Sequence, residues 1–94
     1  MKAPRESVRE LFEPPFTSEP GSFNILDDND NVVACFGFVM RRFWACGRER
    51  IQGMANSGEL IGAWQADFKE IVPDQSVSPP EVCRLLTDAW AATA

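Results

Sequence analysis

Residues 23–40, FNILDDNDNVVACFGFVM, hold two apolar runs parted by five consecutive Asp and Asn residues, Asp27 to Asn31. Asp and Asn tolerate positive φ and hydrogen-bond their own backbone, so such a cluster between β-prone runs reads as a hairpin turn. With 28–31 as the loop, or a two-residue turn at Asn29-Asp30, Leu26 faces Val33, Ile25 faces Ala34 and Phe23 faces Phe36. The second strand is predicted to run on to Met40. Its even positions, Val32, Ala34, Phe36, Phe38 and Met40, make a bulky face, and its odd positions, Val33, Cys35, Gly37 and Val39, a small one. Both faces are apolar, which is unusual for an antiparallel strand with one side in water. The small face suits close approach of a helix. The bulky face needs a cover, supplied either by the last helix or by a second copy in a two-fold homodimer.

Upstream, residues 1–22 form a proline-rich lead-in. Pro4 is placed to start a short helix with Val8, Leu11 and Phe12 on its apolar side, and Pro14-Pro15 to end it. The stretch after Phe16 reads as extended chain, a candidate third edge strand. Downstream, residues 47–72 carry Ile51, Met54, Ile61, Trp64, Phe68 and Ile71 at helical spacing. Glycines at 53, 58 and 62 weaken that helix, and Asn56 followed by Glu59 resembles a capping box, so two helices near 47–55 and 58–71 are predicted. Ser78-Pro79-Pro80-Glu81 is a second capping signature, opening a helix with the stripe Val82, Leu85, Leu86, Ala89 and Trp90. The sum is one small α+β domain, 1–94: an antiparallel β-hairpin, with or without the third strand, packed on two or three α-helices.

A chain of 94 residues has a limited core, to which seven Phe and three Trp contribute most. The net charge of −5 argues against general nucleic-acid or membrane binding. Cys35, Cys46 and Cys83 are odd in number and lack CxxC spacing, so they read as free thiols in a reducing cytoplasm. No apolar run approaches a membrane span, and MKAPRESVRELFEPPF lacks the apolar core of a signal peptide.

Histidine is absent, which removes Ser-His-Asp and Cys-His arrangements, and no phosphate-binding glycine loop occurs. The expectation is therefore a protein that is not an enzyme and takes no cofactor or metal. Asp27, Asn29 and Asn31 match the first ligand positions of a calcium loop, but Val32 and Phe38 stand where that loop needs glycine and glutamate. Asp27, Asp28 and Asp30 remain candidates for an acidic knob facing a basic partner. Arg41, Arg42, Arg48 and Arg50 flank Phe43 and Trp44, the one basic patch on an acidic chain. That composition fits a single-strand stacking platform, a protein-binding hot spot, or core aromatics with arginines at a strand edge.

From PPFTSEPGSFNILDDNDNVVA through the segment 48–55, the chain resembles small proteins common in phage and prophage genomes. Those run from a Pro- and Gly-containing lead-in to an "xILDxxxxxVA" hairpin and a short helix. The resemblance covers roughly residues 14–56 and supplies no catalytic residues. It implies a phage accessory protein that inhibits host machinery by binding it, most sharply an anti-CRISPR-type protein that occludes or locks a CRISPR effector in the host cytoplasm. The alternative is a small nucleic-acid-associated regulator using the Arg41–Arg50 segment.

Overall fold

The computed structural model describes residues 6–92. In chain order the elements are α1 (Glu6–Leu11), β1 (Thr17–Ser18), β2 (Ile25–Leu26), β3 (Val32–Gly37), β4 (Arg42–Ala45), α2 (Arg48–Ile51), α3 (Ser57–Ile71) and α4 (Pro79–Ala92). The strands make one antiparallel sheet in the order β1-β2-β3-β4. This is the α+β arrangement the sequence predicts, and β1 is the third strand expected from the lead-in.

The Asp/Asn cluster turns the chain as predicted, with Asp30 in the left-handed region at φ 62°. Ile25 pairs with Ala34 as expected, but Leu26 pairs with Val32 rather than Val33 because a bulge falls between Ile25 and Leu26. The larger departure is at the other end of β3. That strand stops at Gly37 instead of Met40, and the chain turns over residues 38–41, closed by the Arg41 N–H bond to the Gly37 carbonyl at 2.7 Å. Arg41 carries the strain of the turn at φ 53°. The chain then returns as β4, pairing Cys35 with Trp44 and Phe36 with Phe43. Gly37 permits this packing: a Cβ there would stand 2.5 Å from the Trp44 ring.

The pairing defines two faces. Ala34 and Phe43 are fully buried, and Phe36 and Ala45 pack against the core beside them, so the even face is the inner one. The expectation that a helix approaches the odd face is corrected. Cys35 and Gly37 are covered locally by Cys46 and the Trp44 ring, while Trp44 itself looks outward. Val33, beside the bulge, is the odd-face residue that is buried.

The helices lie against the inner face. Trp64, Phe68 and Ile71 recur at helical spacing and are the buried side of α3. The Trp64 indole sits 5.1 Å from the Phe12 ring and donates to the Val33 carbonyl at 3.1 Å, satisfying its polar atom inside the core. Val8, Leu11 and Phe12 are buried as predicted for α1; its expected start at Pro4 lies outside the described residues. Ser7 donates from its backbone and hydroxyl to Asp67 of α3. Arg9 donates to the Trp90 carbonyl at 2.8 Å and lies 3.9 Å over that residue's ring, while the Trp90 indole donates to the Phe12 carbonyl.

The predicted break between two helices is present, but α2 is a single turn. Gly47 enters it at φ 92°, and a Cβ there would lie 2.9 Å from the Phe12 ring. Asn56 precedes α3 in a left-handed conformation without a side-chain cap bond, so the expected Asn56–Glu59 capping box does not form. At α4, the Val82 N–H reaches the Ser78 carbonyl, but Glu81 pairs with Arg84 instead of turning back to the helix start. Val82, Leu86 and Ala89 are the buried side of α4, which packs on α1, β1 and β2. It therefore leaves Phe38 and Met40 uncovered.

Candidate partner-binding surface

Beyond Gly37 and Phe43 the β3–β4 hairpin leaves the core and projects as a tip. Val39 is 98% exposed, Met40 62% and Phe38 57%, with Phe23 at 43% beside them. The tip is organised by ring contacts. Phe36 meets Phe43 at 4.9 Å and Phe38 at 5.3 Å, and Phe23 contacts both Phe36 and Phe38. Thus a chain of four aromatic rings leads from the buried Phe43 out to the exposed Phe38. Arg41 and Arg42 are exposed at its base and form no ion pair among the described residues. An apolar apex with two guanidinium groups unpaired among the described residues is the outcome.

The other predicted residues divide. Phe43 is fully buried, so it belongs to the core rather than to an interface. Trp44 is 46% exposed on the outer face. Arg48 and Arg50 lie on α2, beyond the far end of β4, a strand whose four residues span about 10 Å. Arg50 donates to the Leu11 carbonyl at 3.1 Å. The basic segment is therefore split, and its four arginines do not form one patch.

Asp27 is also displaced from the candidate list. It is 3% exposed, and its carboxylate accepts from the backbone N–H groups of Glu13, Asn29 and Asn31 and from the Asn31 amide. It ties the loop to the lead-in and has no face left for a partner. Asp28 and Asp30 are exposed, at the opposite end of the sheet from the tip. The reading of three free thiols is corrected as well. Cys35 and Cys46 form a disulfide across β3 and the end of β4, with Cα atoms 5.9 Å apart, and Cys83 alone is free. Burial pushes the Cys83 thiol above its ordinary pKa.

Among the described residues no three or more His, Cys, Asp or Glu are grouped to hold a metal. No helix among them is long and apolar enough to cross a membrane. Sequence reasoning missed Val39 and Phe23 as surface residues. For Val39 the signal was a run of consecutive apolar residues, FVM, passing directly into RR with no glycine or proline between; for Phe23 there was none. Comparison with protein-family models, curated proteins and solved structures returns no match.

Proposed function

We propose that this is a non-enzymatic binding protein that inhibits a larger host protein by seating the β3–β4 tip in an apolar recess of that partner. The observation that carries the reading is the projecting apex of Phe38, Val39 and Met40 above Arg41 and Arg42. With Phe23 it leaves on the order of 500 Å² of apolar surface in contact with water, the size at which a patch on a small monomer marks an interaction site. That is less than the roughly 800 Å² each side of a standard interface buries, so the arginines and Trp44 supply the surrounding contact. The partner recess is expected to be rimmed with carboxylates, which would pair with the two guanidinium groups.

Charge also ranks the competing occupants. A two-fold contact through the tip would set Arg41 and Arg42 of each copy against their own equivalents, which disfavours the homodimer. Nucleic acid is disfavoured because Arg48 and Arg50 stand apart from the tip. The resemblance to phage-encoded proteins sharpens the reading to occlusion of a CRISPR effector in the host cytoplasm. The test is co-purification of tagged protein with an effector complex, together with assay of target cleavage. Wild type is expected to bind and to suppress cleavage, and Val39→Asp to lose both while melting as before. Equal capture by the variant would remove the tip from the reading; failure of both proteins to bind any effector tested would remove the CRISPR-effector reading.

A further inference from the structure

Cys35 lies on β3 opposite Trp44, and Cys46 lies two residues beyond Trp44, so the two cysteines are diagonal neighbours on the outer face of the hairpin. Their Cα separation of 5.9 Å falls within the span a disulfide bridges. The bond closes a ring that contains the whole docking tip. Both residues are partly exposed. Cys83, on α4, takes no part in this pair.

Beyond the β3–β4 ladder and the ring contacts of Phe23, Phe36, Phe38 and Phe43, the hairpin has few other restraints. At its free edge β4 donates the Phe43 N–H to the Gln75 carbonyl, at 2.8 Å, and the turn itself is closed by the Arg41 N–H donating to the Gly37 carbonyl. Val39 contributes almost no burial that would hold the turn in one conformation, and Met40 is 62% exposed. A loop that must be ordered on binding loses affinity for that ordering, and a covalent link across its base removes part of that loss in advance.

We infer that the Cys35–Cys46 pair is a redox-sensitive clasp that sets how rigidly the tip is presented, closed under oxidising conditions and open in a reducing cytoplasm. Its functional meaning rests on the docking reading above; its chemistry does not. In closing, the thiolate of one cysteine attacks a small-molecule disulfide, forming a mixed disulfide and expelling one thiolate. The second cysteine thiolate then displaces the remaining small thiol, so the pair loses two electrons and the oxidant gains them. In opening, one thiolate of a dithiol reductant attacks the Cys35–Cys46 bond and expels one cysteine thiolate, and the reductant's second thiolate then displaces the other, leaving the reductant as an intramolecular disulfide.

The test uses the intact protein with dithiothreitol as the reductant and trypsin as the probe, since Arg41 and Arg42 lie inside the ring. In the oxidised protein cleavage there is expected to be slow, with the two fragments joined until reductant is added. Reduction is expected to speed cleavage about tenfold, and amide exchange across 36–45 by a similar factor. The amides of Trp64 and Phe68 in α3 should keep their exchange rates. Replacing both cysteines by serine, Cys35→Ser with Cys46→Ser, is expected to reproduce the reduced behaviour without reductant. Iodoacetamide labelling of Cys35 and Cys46 in the air-oxidised native protein would show that no bond forms. Cleavage and exchange that ignore reduction would show a bond that clasps nothing. Either result overturns the inference, and neither depends on a partner, so its failure is distinct from that of the docking reading.

Discussion

Replacing Asp27 by alanine removes the acceptor for three backbone N–H groups and one side-chain amide at a stroke. A hydrogen bond to an ionised group contributes about 1.5–3 kcal/mol when its loss leaves the partner buried and unpaired. Here Glu13 and Asn29 are exposed, so water replaces part of what is lost. A net destabilisation of about 2–4 kcal/mol is expected, against a total of about 5–14 kcal/mol for a domain of this length. The melting temperature should fall by about 8–30 °C. Asp27→Asn should cost nearly as much, because its amide N–H group faces donors. Asp28→Ala, at an exposed position of the same loop, should stay within about 0.5 kcal/mol of wild type, while Asp30→Ala should cost about 1 kcal/mol because alanine tolerates its φ of 62° less well than aspartate. Thermal and urea melts of the four variants decide the matter. Millimolar calcium should leave every melt unchanged, since N–H donors already occupy the Asp27 oxygens. An Asp27→Ala protein that melts within about 2 °C of wild type would refute the account of the loop.

Gly47→Ala should destabilise by about 1–3 kcal/mol, because its Cβ would meet the Phe12 ring at a φ of 92°; equilibrium unfolding measures it. Cys83 should react slowly with iodoacetamide near neutral pH, since burial favours its protonated form, and urea should accelerate the labelling to the rate of a free thiol. The Glu81 carboxyl is held below its ordinary pKa by the Arg84 hydrogen bond, and that of Asp74 by the Ser76 hydroxyl and N–H. A lowered carboxyl contributes stability that is fully present above the unfolded value and is lost as pH falls through the folded one. Arg84→Ala should therefore flatten the acid limb of stability below about pH 4.5, slightly, because both groups are exposed.

The hairpin was legible because Asp27–Asn31 carries its own turn chemistry, and α1, α3 and α4 because Val8, Trp64 and Val82 each begin a helical stripe. The β4 strand was hidden. Its turn is built from Phe38, Val39, Met40 and Arg41, none of them a turn former, and Arg41 adopts its left-handed conformation at a cost that sequence does not advertise. Asp27, Asp28 and Asp30 look equivalent in a run of like residues; only the approach of the Glu13 backbone, set by tertiary structure, separates the buried carboxylate from its exposed neighbours. The disulfide was hidden for the same reason. An 11-residue separation has no meaning until the unforeseen turn folds Cys46 back beside Cys35. At the candidate surface, Arg41 and Arg42 are exposed, and the pair left open between core and interface divides: Trp44 faces outward, while Phe43 is core because pairing across from Phe36 puts it on the inner face.

The partners of α1 have a consequence for the newborn chain. Ser7 bonds across 60 residues, Trp90 to Phe12 across 78, and Arg9 to Trp90 across 81. On a ribosome, the first helix emerges long before any group that holds it, and a helix of six residues has no stability of its own in water. Its apolar residues Val8, Leu11 and Phe12 must wait in solution until α3 and then α4 arrive. The docking of the first helix, begun on α3, is thus completed only when the final turn of α4 supplies Trp90. A nascent chain stalled before Trp90 would display a greasy, protease-sensitive N-terminal segment that the finished protein conceals.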